Sequence, residues 1–291
     1  IARLIAGKYL PGNPGASCSM AALLRQGLPF GAVSILQNVY TRLDILLLGQ
    51  LSTSVMVGLY STAYKPVNML LNFGASASGT LFPYLVQESR TASSGSFERV
   101  FKLVMVLAPV MAFVIGGLSE PLIKVMFGVD YAPAAAMLTI LAWSAAANWL
   151  YAPIGIALQA RGYERMWMSG LAGALLLNAA LNLWAIPRWG GLGAAVSTLA
   201  CEVMLLLASS IMLRRAFGPL LPMQAAPACV GATIVGVVVL VGLRDMGTIV
   251  ATVAALLGYG VVLWCFRVAT ADDVFKLVAR FRETAQGHAR V

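Results

Sequence analysis

Five stretches of this chain run for 21 residues or more without a charged side chain: Pro66–Gln87, Tyr131–Gln159, Met166–Pro187, Ala216–Leu243 and Met246–Phe266. About 20 apolar residues in a helix cross a bilayer, so each run is long enough to span. Leu103–Ser119 is shorter and is completed by its flanks. Two further spans, Gly27–Leu48 and Leu192–Leu213, carry internal charge. The expectation is an all-α polytopic bundle of eight transmembrane helices, at 27–50, 55–85, 97–118, 133–160, 165–186, 191–213, 222–243 and 248–267. Helices follow because lipid offers the backbone no hydrogen-bond partner. A closed barrel needs alternating strands, and runs such as Ile234–Leu243 do not alternate. With 60% apolar residues, 11% charged and a mean hydropathy of +0.84, a water-soluble globule would expose large apolar patches.

The net charge of +9 suggests nucleic acid in a soluble protein, but the loops account for it here. Alternating the eight spans puts Arg3, Lys8, Arg25, Arg90, Arg99, Lys102, Arg161, Arg165, Arg214, Arg215, Arg267, Lys276, Arg280, Arg282 and Arg290 on one side. Lys124, Arg188 and Arg244 lie on the other, and Arg42 and Lys65 lie inside spans. That asymmetry of 15 to 3 places both chain ends in the cytoplasm. No nucleic-acid partner is expected. Thr270–Gln286 reads as an amphipathic surface helix, with Val274, Leu277, Val278 and Phe281 on one face and Lys276, Arg280 and Arg282 toward headgroups. The chain starts at Ile1 with no signal peptide, and the expectation is a fragment of a longer protein.

Catalytic and metal chemistry find no footing. The single histidine is His288, and Cys18, Cys201, Cys229 and Cys265 form no CxxC pair, so they read as packing residues. Gly191–Ala195 follows no strand and is no dinucleotide fingerprint, and no Walker sequence is present. The longest loop, about 87–97, holds only Glu88 as an acid, which argues against an integral-membrane glycosyltransferase or polymerase. No cofactor is expected.

Charges inside spans mark the candidate site, because each costs roughly 2.5–3.5 kcal/mol at the bilayer centre. They are Arg42 and Asp44 in the first helix, Lys65 in the second and Glu202 in the sixth. Arg42 and Asp44 point about 200° apart on a helix. The bland readings are a structural ion pair of Asp44 with Arg42 or Lys65, and simple snorkelling of Arg42. Polar stripes accompany the charges. Ser61, Lys65, Asn68, Asn72, Ser76 and Gly79 line one face of the second helix; Ser144, Asn148, Tyr151, Gly155 and Gln159 line the fourth. Asn178 and Asn182 sit one turn apart on the fifth, and Gln37, Thr41 and Asp44 share a face of the first. Interhelical hydrogen bonding explains one such stripe; several together predict a central water-filled cleft. Gly31, Pro66, Pro109 and Pro153 lie inside spans as potential bends.

Three blocks carry a resemblance. RLDILLLGQLSTSVMVGLYSTAYKP (Arg42–Pro66), SEPLIKVMFGVDYAPAAAMLTILAW (Ser119–Trp143) and NLWAIPRWGGLGAAVST (Asn182–Thr198) resemble bacterial oligosaccharide flippases of the polysaccharide transporter family. That family belongs to the multidrug/oligosaccharidyl-lipid/polysaccharide exporter superfamily. The resemblance implies two six-helix lobes around a central cavity, often with two extra helices. This chain would then be the C-terminal portion: a cytoplasmic segment 1–24, a six-helix lobe 25–215, two additional helices 216–268 and a cytoplasmic tail 269–291.

The implied activity is translocation of undecaprenyl-pyrophosphate-linked oligosaccharide across the bacterial inner membrane by alternating access, serving O-antigen, capsule or exopolysaccharide synthesis. Arg42 and Lys65 would draw the pyrophosphate, and Asn68, Asn72, Asn148, Asn178 and Asn182 would meet sugar hydroxyls. Asp44 or Glu202 would orient the cations or bind a coupling ion. Implied partners are the lipid-linked oligosaccharide, membrane lipid, the N-terminal lobe of the same protein, and pathway polymerases and glycosyltransferases. The runner-up is a cation-coupled multidrug exporter of the same superfamily, with Glu202 carrying the ion. One departure stands out: the four intramembrane charges sum to zero, whereas a pyrophosphate cavity should be cationic.

The loop asymmetry makes a direct prediction. Cysteines placed at Ser52 and Asp130 should react with an impermeant maleimide added to intact cells, and a cysteine at Ser94 should not. Labelling at Ser94 from outside would overturn the orientation.

Overall fold

A computed structural model describes residues 20–91, 95–218 and 225–266, and every regular element among them is helical. We number the helices α1 Met20–Leu51, α2 Ser54–Thr91, α3 Gly95–Gly117, α4 Ser119–Phe127, α5 Ala134–Ala160, α6 Glu164–Phe217, α7 Ala226–Gly242 and α8 Thr248–Cys265. The eight expected spans correspond to α1, α2, α3, α5, the two arms of α6, α7 and α8. Asp272, Asp273 and the rest of the Thr270–Gln286 tail lie outside the described residues, as do Cys18, Ser94 and His288.

α6 is two helices. Its 54 residues would reach ~81 Å if straight. Instead Gly190 takes φ +56°, and the chain folds back on itself. A Cβ on Gly193 would lie 2.4 Å from the Ala185 carbonyl oxygen, and one on Gly170 would lie 2.9 Å from Met212 Cε. These two contacts, near the turn and near the far ends, pair the arms as an antiparallel hairpin. Glycine and alanine at the crossing let the two backbones approach this closely. Pro187 has no N–H to continue the first arm, and the Arg188 side chain turns back to donate to the Trp184 carbonyl at its end.

α4 departs from expectation, since the sequence reading left 119–127 as loop. After Gly116 and Gly117 the chain bends by 61° and resumes as a short helix. Pro121 fits the first turn, where an N–H is dispensable. Thr139 of α5 fixes the corner: its hydroxyl lies 2.8 Å from Ser119 Oγ and 3.1 Å from the Gly116 carbonyl. Gly128, at φ +96°, then ends α4.

The helices assemble with the turns at two opposite ends. Met56 and Met137 pack on the Gly190–Gly191 turn, so the α1–α2 turn, the start of α5 and the tip of α6 share one end. Arg161 stacks on Phe217 at 4.3 Å, which puts the α5–α6 turn and the close of α6 at the other. α1 packs mainly on α6, α2 mainly on α5, and α5 joins the two halves. The α7–α8 hairpin docks on α3 through Phe113, which meets Tyr259 at 5.8 Å and Trp143 at 5.1 Å. Gly236 supplies the space for that ring. Cys201 and Cys229 are buried as expected; Cys265 is exposed at the end of α8.

Gly193→Ala should force the α6 arms apart, at roughly the 1–3 kcal/mol of an overpacked core. Gly231→Ala, with open space around its Cβ, should leave stability unchanged. Thermal inactivation of the two variants in detergent, followed by size-exclusion, tests this. Equal melting would show that the hairpin crossing tolerates a methyl group.

Candidate functional site

Asp44 faces inward from α1 and is 2% exposed. Three neutral groups from three helix segments donate to it. Thr198 Oγ1, on the second arm of α6, lies 2.6 Å from Oδ2. Asn182 Nδ2, on the first arm, lies 2.8 Å from Oδ1. The Tyr60 hydroxyl of α2 lies 3.2 Å from Oδ2. Asn182 Nδ2 also reaches Asn178 Oδ1 at 2.9 Å, while Asn182 Oδ1 is buried without a partner. Thr198 has a single hydroxyl hydrogen, and the Asp44 carboxyl oxygen at 2.6 Å is nearer to it than the Ala194 carbonyl at 2.9 Å.

Glu202 lies one turn beyond Thr198 on the same face and is 6% exposed. The Tyr40 hydroxyl donates to Oε1 at 3.3 Å; Oε2 is buried without a hydrogen-bond partner among the described residues. Asn148 and Tyr151 of α5 also face this carboxyl and bond each other at 2.6 Å. Tyr40 and Asp44 are one turn apart on α1, and Thr198 and Glu202 one turn apart on the antiparallel arm of α6. The pairs Asp44–Thr198 and Tyr40–Glu202 therefore form two rungs of a ladder. No cation contacts either acid among the described residues, so the ion pair of Asp44 with Arg42 or Lys65 does not form.

The expected site residues divide into two groups. Arg42, Lys65, Asn68 and Asn72 are exposed on α1 and α2. Lys65 Nζ sits 5.1 Å from the Phe127 ring centroid, so α4 borders this surface. Asn178 and Asn182 are 1% and 0% exposed and are engaged around Asp44; they do not share the Lys65 surface. Asn148 is half-buried beside Glu202. The α5 stripe is likewise turned inward, with Ser144, Tyr151 and Gly155 buried and Ser144 bonded to its own helix at the Leu141 carbonyl. It packs the lobe, where the sequence reading had it facing water. The surroundings of Ser76 and Gly79 lie outside the described part.

Tyr40, Tyr60 and Thr198 are members of the buried polar network that sequence reasoning missed. A signal existed for two of them: Tyr40 precedes Asp44, and Thr198 precedes Glu202, by one helical turn. Tyr60 has no such mark. Oxygen ligands are what this network offers a visiting ion: the Asp44 carboxylate, the Asn178 and Asn182 carbonyls, Thr198 Oγ1 and the Ala194 carbonyl. Hard cations such as alkali ions favour oxygen donors, and a proton suits the carboxyl itself. Among the described residues no cluster of three His, Cys, Asp or Glu suits a transition metal.

The bundle defines a multi-pass helical membrane protein whose fold is that of a membrane flippase. It superposes on the lipid II flippase MurJ in its inward closed conformation with a TM-score of 0.67, at 14% identity, over 84% of this chain and 54% of that one. Residues 5–89 match the family model of polysaccharide biosynthesis proteins. The probable low-salt glycan biosynthesis flippase Agl15 of Haloferax volcanii is 27% identical over 165 residues, 55% of this chain and 34% of that protein. The resemblance to polysaccharide-transporter flippases is borne out. The chain spans about a third of its curated relative and about half of the solved one.

Asp44→Ala should leave the Tyr60 hydroxyl and one Asn182 N–H without their acceptor, while Thr198 turns to the Ala194 carbonyl, costing stability roughly in the range of 1–3 kcal/mol for each orphaned group that water cannot reach. Tyr60→Phe removes one donor and no acceptor, and should cost about 1 kcal/mol. Melting midpoints in detergent rank the two; a Tyr60→Phe loss equal to that of Asp44→Ala would place the weight of the network elsewhere.

Proposed function

We propose that this chain is part of a flippase that moves an undecaprenyl-pyrophosphate-linked oligosaccharide across the bacterial inner membrane by alternating access, supplying O-antigen, capsule or exopolysaccharide synthesis. In this reading residues 25–215 are its second six-helix lobe and 216–268 two added helices, with both ends in the cytoplasm. The observation that carries it is the sorting of charge. Arg42 and Lys65 stand exposed on α1 and α2 with Asn68 and Asn72 beside Lys65, while Asp44 and Glu202 are withdrawn into the core.

This sorting resolves the zero sum of the four charges. The face that would meet the pyrophosphate is cationic, with amides beside it for sugar hydroxyls. Arg42 forks onto phosphate oxygens and Lys65 acts as a point charge. The buried amides Asn178 and Asn182 serve Asp44 and not the sugar. Their oxygens, with Asp44 and Thr198, are the seat of the coupling ion. The likenesses to Agl15 and MurJ, both named as flippases, support the class of activity over that of an enzyme.

A cation-coupled drug exporter is the second reading, favoured by two buried acids that contact no basic residue among the described residues. Four variants of the full-length protein separate the two. In a flippase-deficient strain, Arg42→Ala and Lys65→Ala should each abolish surface polysaccharide while membrane insertion stays normal. Lys65→Arg should retain part of it. Full display by both alanine variants would refute the phosphate role. Glu202→Gln should leave display intact; loss of drug resistance in that variant, with polysaccharide untouched, would hand the function to the exporter.

A further inference from the structure

The two arms of α6 and the helix α8 carry exposed faces of a kind that the α1–α2 surface lacks. On the second arm of α6 the exposed positions are Leu192, Val196, Ala200, Val203, Leu207 and Ile211, stepping by three and four. No polar residue interrupts this stripe, and Arg214 and Arg215 follow it, both exposed. Leu192 to Ile211 is 20 residues, or ~29 Å of helix, close to the ~30 Å hydrocarbon thickness of a bilayer. α8 repeats the measure independently. Its exposed Ile249, Val253, Leu257, Val261 and Trp264 run along most of an 18-residue helix of ~27 Å, with Arg244 and Asp245 before the helix begins, at the end shared with the α6 turn. The two apolar stripes, bounded by charge at opposite ends of the bundle, define a slab.

At the turn of α6 the slab ends in an unusual group. Trp184 and Trp189 are 51% and 52% exposed and meet edge to face at 5.1 Å. The Arg188 guanidinium lies 4.7 Å from the Trp184 ring centroid and spends one donor on the Trp184 carbonyl. The remaining donors meet no acceptor among the described residues. Indole rings favour the headgroup–acyl boundary, where one edge is apolar and the N–H finds water or ester oxygens.

We propose that Trp184, Arg188 and Trp189 form an anchoring site for a membrane phospholipid, with the indoles at the glycerol level and Arg188 on the phosphate. The anchor sets the depth of the α6 hairpin. Counted down the second arm from Leu192, Thr198 then lies ~9 Å and Glu202 ~15 Å below the hydrocarbon boundary, at about the bilayer midplane. The tip is also the covalent link between the arm bearing Asn178 and Asn182 and the arm bearing Thr198, so a fixed tip holds the two halves of the Asp44 network at a fixed height.

Tryptophan fluorescence tests this in vesicles of phosphatidylethanolamine and phosphatidylglycerol. The emission lost on Trp184→Phe/Trp189→Phe reports the tip. Lipid brominated near the headgroup should quench that component about twofold more strongly than lipid brominated near the methyl end, as expected for an interfacial ring. Arg188→Ala should open the same component to aqueous acrylamide, and Arg188→Lys should not. A nitroxide on Ala180→Cys, one turn below Trp184 on the exposed face, gives a readout without loss of tryptophan, and should collide with oxygen more than with a water-soluble nickel chelate. Quenching by acrylamide and by neither brominated lipid would overturn the proposal and leave a water-facing platform for glycan or a protein-covered face. Unchanged acrylamide access in Arg188→Ala would remove the phosphate contact.

Discussion

A carboxylate removed from water inside a membrane protein has to be satisfied by whatever the chain can bring to it, and Asp44 is satisfied by donors from three other helix segments. The hydroxyls of Tyr60 and Thr198 and the amide of Asn182 converge from α2 and from both arms of α6. In water each of these bonds would be worth little. In a low-dielectric interior an unmet donor or charge is costly, so the four segments are held to one another. The apolar packing around Leu48, Tyr60 and Ala194 is compatible with many helix arrangements; the carboxylate is compatible with few.

The number and extent of the helices were legible because lipid imposes a length that runs of uncharged residues reveal directly. The hairpin at Gly190 was legible for a related reason, since Pro187 and the glycines after it could not continue a helix. The short α4 was not, because nine residues of mixed polarity carry no periodic signal and the corner depends on Thr139, 20 positions away from Ser119. The intramembrane charges were found from their cost, but the sequence could not say which way each pointed. Arg42 and Asp44 are two residues apart, and one is exposed while the other is buried. The amides Asn178 and Asn182 show the same limit. A polar stripe on one helix reads identically whether it faces water or a buried acid on another, and only the packing of α6 against α1 decides between them.

Close backbone approach recurs where the helices must lock. Gly193 admits the Ala185 carbonyl, Gly155 admits Trp167 and Gly236 admits Phe113. In lipid there is no hydrophobic drive to press helices together, so contact area and hydrogen bonds take that role. Glycine supplies the contact area, by removing a side chain where a ring or a backbone oxygen has to fit.

The two-rung ladder between α1 and the second arm of α6 has a directional consequence. Slide α1 by one turn, ~5.4 Å, toward the Phe217 end of that arm, and Asp44 comes opposite Glu202, acid against acid. Slide it equally far toward Gly190, and Asp44 faces Ala194, while Tyr40 takes Thr198 for a neighbour and Glu202 loses its phenol. Repulsion bars one direction and starvation of donors bars the other. The pair of helices can tilt or separate as a unit with their partners, but it has one register, and the spacing of four residues on each strand of the ladder is what makes that register unique.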